Sequence, residues 1–223
     1  MIKGSICCMR ICKDATQINK INRRIEICGG IASGKTTFAT LLANAGFISI
    51  YEAFREVPFW KAFYADPVKY AFETEITFTL QHYHQIKKHP ASNKFLACDY
   101  SFLLDMAYAE MGLKDSQLSA FKAVYLEIEK ELSAPALVVH LQCDSEIELD
   151  RICSRGRNVE KNITLNFLRA LNDAVSKQIE KAKMTTPILT IDSAKNNFAF
   201  DETVKKKMLE MVTTALAVGE KCQ

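Results

Sequence analysis

Apolar positions recur along this chain with two alternating periods. "RRIEIC" (23–28) is short and apolar at every second residue, with Ile25 and Ile27 on one face, as a buried strand requires. "GKTTFATLLANAG" (34–46) places Phe38, Leu41 and Leu42 at helical spacing, and Gly46 stands where a helix can end. "FISIY" (47–51) reads as a second strand. Pro58 and Pro67 each stand where a helix can open, and 67–87 predicts a long helix. "NKFLACD" (93–99) is a buried strand ending in an aspartate, followed by helical patterns over 101–111 and 114–132. "APALVVHLQC" (134–143) is β-branched at its centre and predicts a fourth strand. A helix over 145–153 precedes the charged "SRGRNVE" (154–160); a helix over 164–184, the strand "PILTID" (187–192) and a helix over 201–217 complete the chain.

Strands alternating with helices imply right-handed βαβ units and a parallel sheet covered on both faces. The expected fold is therefore α/β, with about five parallel strands and helices on both sides. No internal repeat, low-complexity linker or break in composition divides the chain. One domain is expected over 24–218, after an extension, 1–23, that reads as frayed and disordered.

Composition removes whole classes of function. Hydrophobic residues at 48% and charged residues at 25% fit an ordinary globular protein. A formal charge of only +3 does not argue for nucleic acid as a partner. No apolar run approaches the roughly 20 residues that span a bilayer, so no membrane partner is expected. The first twenty residues lack an apolar signal core, and Lys3, Arg10, Lys13 and Lys20 with a single serine make a poor transit peptide. The expected location is cytoplasmic, with the eight cysteines reduced. Cys7, Cys8 and Cys12 cluster without the partners of a zinc site, and Cys28, Cys98 and Cys143 read as small core residues.

Chemistry enters between the first strand and the first helix. Gly29, Gly30, Ile31, Ala32, Ser33, Gly34, Lys35, Thr36 and Thr37 have phosphate-loop spacing. Successive N–H groups of such a turn form an anion nest, and the following helix adds its positive end. Lys35 would reach the β- and γ-phosphates of ATP, and the Thr36 hydroxyl would bind Mg²⁺. A carboxylate must hold the metal from the other side. Asp99 ends a buried parallel strand, where ligand sites gather, although a helix N-cap is its other reading.

Beyond the loop, "YE" at 51–52, "PFWKAFYADPVKYAF" at 58–72, "DYSFLLD" at 99–105 and "RICSRGRNVE" at 151–160 resemble the deoxynucleoside kinase family, over about residues 24 to 192. The resemblance implies a P-loop kinase fold, ATP and Mg²⁺ as cofactors, a nucleoside-like substrate and a homodimer built through long helices, with 67–87 and 101–111 the candidates. It implies Glu52 as general base on the 5′-hydroxyl, and Arg151, Arg155 and Arg157 as arginines of a lid near 151–160. Tyr64 and Glu160 would hold the sugar 3′-hydroxyl, Asp105 the base. Donor-base contacts are expected near Asn196 to Phe198.

Three positions depart from the family pattern, all on the acceptor side. Tyr100 stands where an arginine is usual, Glu75 where a base-reading glutamine is usual, and His82 where an arginine commonly supports the aspartate. An ionised Glu75 beside Asp105 would only accept hydrogen bonds and would favour guanine, with its two donors, over adenine and cytosine. A proton shared between the carboxyls would lift that restriction. With a phenol at 100, Arg55, three residues after Glu52, is the cation expected to compensate. The readings are an ATP-dependent phosphotransferase acting on a deoxynucleoside or nucleoside-like compound, a binding protein of the same fold with little or no transfer, or a kinase for another small alcohol.

Overall fold

The computed structural model describes residues 23–89 and 92–221; the extension and its cysteine cluster lie outside them. Strand β1 (Arg24–Cys28) is buried along its whole length, its charged Arg24 and Glu26 included. With β2 (Ile48–Ile50), β3 (Leu96–Cys98), β4 (Leu137–Gln142) and β5 (Ile188–Asp192) it forms one sheet in the order β2-β3-β1-β4-β5. Every pairing is parallel, as the alternating pattern predicts. The second and third strands are shorter than their apolar runs, and Phe47 and Phe95, just before them, pack ring to ring at 6.3 Å.

Helices cover both faces. On one side α1 (Lys35–Asn44) and α8 (Glu202–Lys221) pack Phe38, Leu42, Met208 and Val212 against the sheet. On the other lie α3 (Pro67–Lys87), α4 (Phe102–Gly112), α5 (Asp115–Glu131) and α7 (Leu165–Ala182), whose cores hold Phe121, Tyr125, Leu168 and Leu171. The remaining helices are short α2 (Trp60–Ala65) and α6 (Ser145–Arg155). No helix among the described residues is long and apolar enough to cross a membrane.

Local chemistry sets the starts of the helices that carry the site. Asp66 caps α3 by accepting from the Lys69 N–H at 3.2 Å, with Pro67 at the first helical position. Ser101, not Asp99, caps α4, accepting from the Leu103 N–H at 3.2 Å, which leaves the Asp99 carboxylate free of that duty. A buried ion pair fixes the same corner. Glu26 accepts from Arg24 Nε at 2.8 Å, from the Ser101 hydroxyl at 3.0 Å and from the Phe102 N–H at 3.1 Å. Glu26 thus ties the first turn of α4 to the central strand, and three residues later that helix presents Asp105.

All strands end at the same rim of the sheet. The glycine loop follows β1, Glu52 follows β2, Asp99 follows β3 and α6 follows β4, which assembles four sequence-distant segments at one edge.

Candidate active site

At that rim lies a cavity of about 480 Å³. The structure brings Ile31, Ala32, Gly34, Lys35, Thr36, Thr37, Glu52, Tyr64, Glu75, Asp99, Asp105, Arg151, Arg155, Arg157 and Glu160 to its walls. Gly29, Gly30 and Ser33 lie behind this lining, in the body of the loop. Gly29 sits tight under β4: a Cβ there would fall 2.6 Å from the Leu141 carbonyl oxygen. Gly34 has φ +106°, a left-handed conformation that leads the chain into α1.

At the donor end, the Lys35 ammonium donates to the carbonyls of Gly29 at 3.0 Å and Gly30 at 2.8 Å. It is held over the loop, with one of its three donors to spare. Asp99 is buried, and its Oδ1 has no hydrogen-bond partner. Burial pushes its carboxyl up to about 6, against the hydrogen bond from Thr36 and the charge of Lys35. An orphaned carboxylate oxygen beside a threonine hydroxyl is a donor set that fits a hard divalent cation.

Arg151 is placed differently from the other lid arginines. Its guanidinium donates to the Ala32 carbonyl at 3.1 Å and to the Ser193 carbonyl at 2.9 Å. It therefore pins the phosphate loop to the segment after β5. Arg155 and Arg157 converge instead on buried Glu160, at 2.7 and 3.4 Å. Arg157 also lies over the Phe54 ring, 5.0 Å from its centroid, so the segment after α6 rests on the cavity's aromatic wall. That wall continues edge to face from Phe54 to Trp60, Tyr64, Phe63 and Tyr108. Burial, with the Glu160 carboxylate nearby, raises the Tyr64 phenol's pKa.

The acceptor end is a cluster of carboxyls around one ring. His82 is fully buried, with Nδ1 2.9 Å from Asp105 Oδ2 and Nε2 3.4 Å from Glu52 Oε1. Burial would raise the Glu52 carboxyl, but His82, helped by Lys35 and Arg157, outweighs it and holds the group below its ordinary value. Glu75 has no such partner, and burial together with the Asp105 charge pushes it well above the carboxylate range. A carboxyl held in that way keeps its proton and both donates and accepts, as a glutamine does. That upward direction favours the protonated alternative over an ionised Glu75.

One expectation for this end is corrected. Arg55 is exposed, does not line the cavity, and lies over the ring of Phe54, 5.6 Å from its centroid, so it does not compensate for Tyr100. Its residue sits in a short 3₁₀ turn, Phe54–Glu56, which begins after Glu52, so the two do not share a helix. Tyr100 does not line the cavity. It is buried behind His82, stacked on that ring at 3.9 Å and 6°, with its hydroxyl donating to the His82 carbonyl at 3.2 Å.

Phe198 packs against Phe38 at 5.3 Å and faces Gly34, placing it in the core under the loop. Sequence reasoning did not find Phe78 and Tyr108, which also line the cavity. Each lies three residues beyond a predicted site residue on the same helix, Glu75 and Asp105, and that spacing was the available signal. Glu148, buried beneath Gly30 and accepting from Asn172 at 2.9 Å, was also missed; burial raises it to about 7.

A family model, Deoxynucleoside kinase, matches residues 25–217. The chain is 29% identical to a deoxyguanosine kinase of Bacillus subtilis over 80% of this chain and 90% of that protein. It is 27% identical to a deoxyadenosine kinase of Dictyostelium discoideum over 75% and 71%. The solved deoxyadenosine kinase of M. mycoides with bound dCTP superposes with a TM-score of 0.72 at 18% identity, covering 86% of this chain and 99% of that one, which shows a shared fold.

Proposed function

Because the chain belongs to the deoxynucleoside kinase family, we propose that this cavity transfers the terminal phosphoryl group of ATP to the 5′-hydroxyl of a deoxynucleoside. The observation that carries the reading is the convergence, in one cavity, of the Lys35 loop, Asp99 and a Glu52 carboxylate held ionised.

An ionised Glu52 accepts the hydroxyl proton as the oxygen attacks. Lys35 and the loop N–H groups hold the phosphates in place, and Arg155 and Arg157 offset the negative charge of the group in transfer. Arg151 acts through the loop it pins. Thr36 and Asp99 would hold Mg²⁺, which when bound neutralises charge on the phosphates; the unpartnered Asp99 oxygen supports this assignment. Tyr64 and Glu160 face the sugar, Asp105 and the protonated Glu75 the base, and Phe78 and Tyr108 form its walls. The working unit is the domain over 24–218 with its lid near 151–160. The free thiols of Cys28, Cys98, Cys143 and Cys153 support a cytoplasmic protein. Exposed Val68 and Leu80 on α3 support a homodimer, which sedimentation tests.

A nucleoside panel with ATP and Mg²⁺, read as ADP formed with and without each nucleoside, tests the reading. Nucleoside-dependent ADP formation is expected, falling by about 10²–10⁴-fold in Glu52→Gln. ADP formation that ignores every nucleoside, or full activity in that variant, would overturn it.

A further inference from the structure

Among the described residues, His82 is the basic partner of two carboxylates on two different elements. Asp105 comes from α4 and Glu52 from the segment after β2, and no salt bridge other than the one to His82 is seen for either. The ring is enclosed. Tyr100, after β3, stacks flat on one face at 3.9 Å, while Phe102 of α4 and Phe78 of α3 pack at 6.5 and 5.9 Å. Glu75 lies two helical turns before His82 on the same side of α3. Lys35 and Arg157 act on Glu52 from farther off.

A neutral imidazole carries a proton on one nitrogen and a lone pair on the other. Here both nitrogens face carboxylate oxygens, Nδ1 in a hydrogen bond at 2.9 Å and Nε2 in a looser ion-pair contact at 3.4 Å without hydrogen-bond geometry, so either neutral tautomer would set a lone pair against negative charge in a buried site. Only the doubly protonated ring gives both contacts the right sign. Burial opposes the charge, but the two carboxylates outweigh it and raise the ring to about 10. Glu52 then stays ionised because of a group that no substrate touches. Asp105 is drawn down by the same ring, but burial outweighs it and leaves the carboxyl above its ordinary value. The 6° stack and the hydroxyl bond from Tyr100 fix the plane of the ring, and hence the line along which the two carboxylates lie.

We propose that His82 is a positioning residue, a permanently charged imidazolium that clamps Glu52 and Asp105 to each other, so that a single ring sets both the group facing the hydroxyl and the group facing the base. This rests on the acceptor assignment above for its kinetic consequences, not for the charge itself. The clamp predicts that a nucleoside that displaces Asp105 also displaces Glu52, so that a poor fit at the base lowers turnover as well as affinity.

Two measurements test it. The protein has four histidines, so ring-nitrogen NMR on histidine-labelled wild type, with the His82 signals identified by their loss in His82→Gln, reads the protonation state directly. Both His82 ring nitrogens should stay protonated from about pH 6 to about pH 9, a range in which an unperturbed histidine loses its proton. A ring with one bare nitrogen near neutral pH overturns the proposal. In the nucleoside-dependent assay, His82→Gln should lower kcat by about 10²-fold and raise the KM for the nucleoside while leaving the KM for ATP unchanged. His82→Arg, which restores a planar cation, should recover a large part of kcat. Unchanged turnover in the glutamine variant, or equal loss in both variants, also overturns it. If the wild type shows no nucleoside-dependent turnover at all, the kinase reading fails, and the NMR titration alone decides on the clamp.

Discussion

Glu75→Gln replaces a buried carboxyl with an amide of nearly the same shape. The structure holds Glu75 well above the ordinary carboxylate range, first by burial and then by the charge of Asp105. The sign of the linkage follows. A folded protein that binds the proton more tightly than the unfolded chain is most stable below the unfolded pKa of 4.5 and loses stability as pH rises through the folded value. Within that window each pH unit costs wild type about 1.4 kcal/mol, whereas the amide has nothing to titrate. Above about pH 4.5 the variant should therefore gain stability relative to wild type, by up to about 1.4 kcal/mol per pH unit, until the pH passes the folded value. Asp99 and Glu148 also titrate above their usual range, but they do so in both proteins and cancel in the difference. Urea unfolding at half-unit pH steps measures this, and a gain of about 1.4 kcal/mol shifts the midpoint by roughly 0.5–1.4 M at a typical urea slope. A stability difference that is flat across the window would show that Glu75 is ionised like a surface acid, and the protonated-carboxyl reading would fail. The same substitution also has a functional readout. A carboxyl that already acts as a glutamine predicts an unchanged ranking of nucleosides, while an ionised one predicts a shift toward adenine and cytosine.

Other perturbations address the donor side. Lys35→Ala should weaken ATP binding by about 1.5–3 kcal/mol, the worth of a charge-assisted bond, in calorimetric titration; unchanged affinity would remove Lys35 from the phosphates. Gly29→Ala should destabilise the fold by about 1–3 kcal/mol, because the new methyl meets the Leu141 carbonyl at 2.6 Å and backbone must move; an unchanged Tm would refute the contact. Glu148→Gln should stabilise the protein above about pH 7 by about 3 kcal/mol relative to its effect at pH 4.5, since Glu148 rises from 4.5 to about 7 and the wild-type penalty accumulates over that interval. Stability profiles of the two proteins that run parallel would show an ordinary Glu148.

Much of the donor side was legible because its chemistry is local. The phosphate loop is a run of nine neighbours whose backbone does the work, so spacing carries its geometry directly, and the strand–loop–helix order around Gly29 to Thr37 confirms it. The parallel direction of the strands follows from the alternation of periods, and the rim that gathers Glu52, Asp99 and the segment after β4 follows from parallel strands. Arg151 was half legible. Its place in the segment is clear from sequence, but its bonds to Ala32 and Ser193 cross 119 and 42 residues, and no spacing rule reaches that far. The helical-neighbour argument for Arg55 fails because Glu52 lies before the short 3₁₀ turn at Phe54–Glu56, so the two residues do not share a helix.

The acceptor side shows why substitutions there must be read together. Taken singly, Tyr100, Glu75 and His82 each remove something that the resemblance supplies: a cation, an amide, a second cation. In space they form one arrangement. The phenol lies flat against the histidine and bonds its carbonyl, the histidine faces two carboxylates, and the third carboxyl, left without a cation, takes up the proton that makes it resemble an amide. The charge count is then consistent for a buried site: two carboxylates flank one imidazolium, and the remaining acid is neutral. Removing any one member should alter the protonation of the others. Buried polar stripes of this kind do leave a trace in sequence. On α3 the inward positions 74, 75, 79 and 82 carry Thr, Glu, Thr and His where a helix facing a core would carry aliphatic residues. A helix that spends four inward positions on polar groups is facing something other than packing, and here it faces the cavity and the ring that organises its acids.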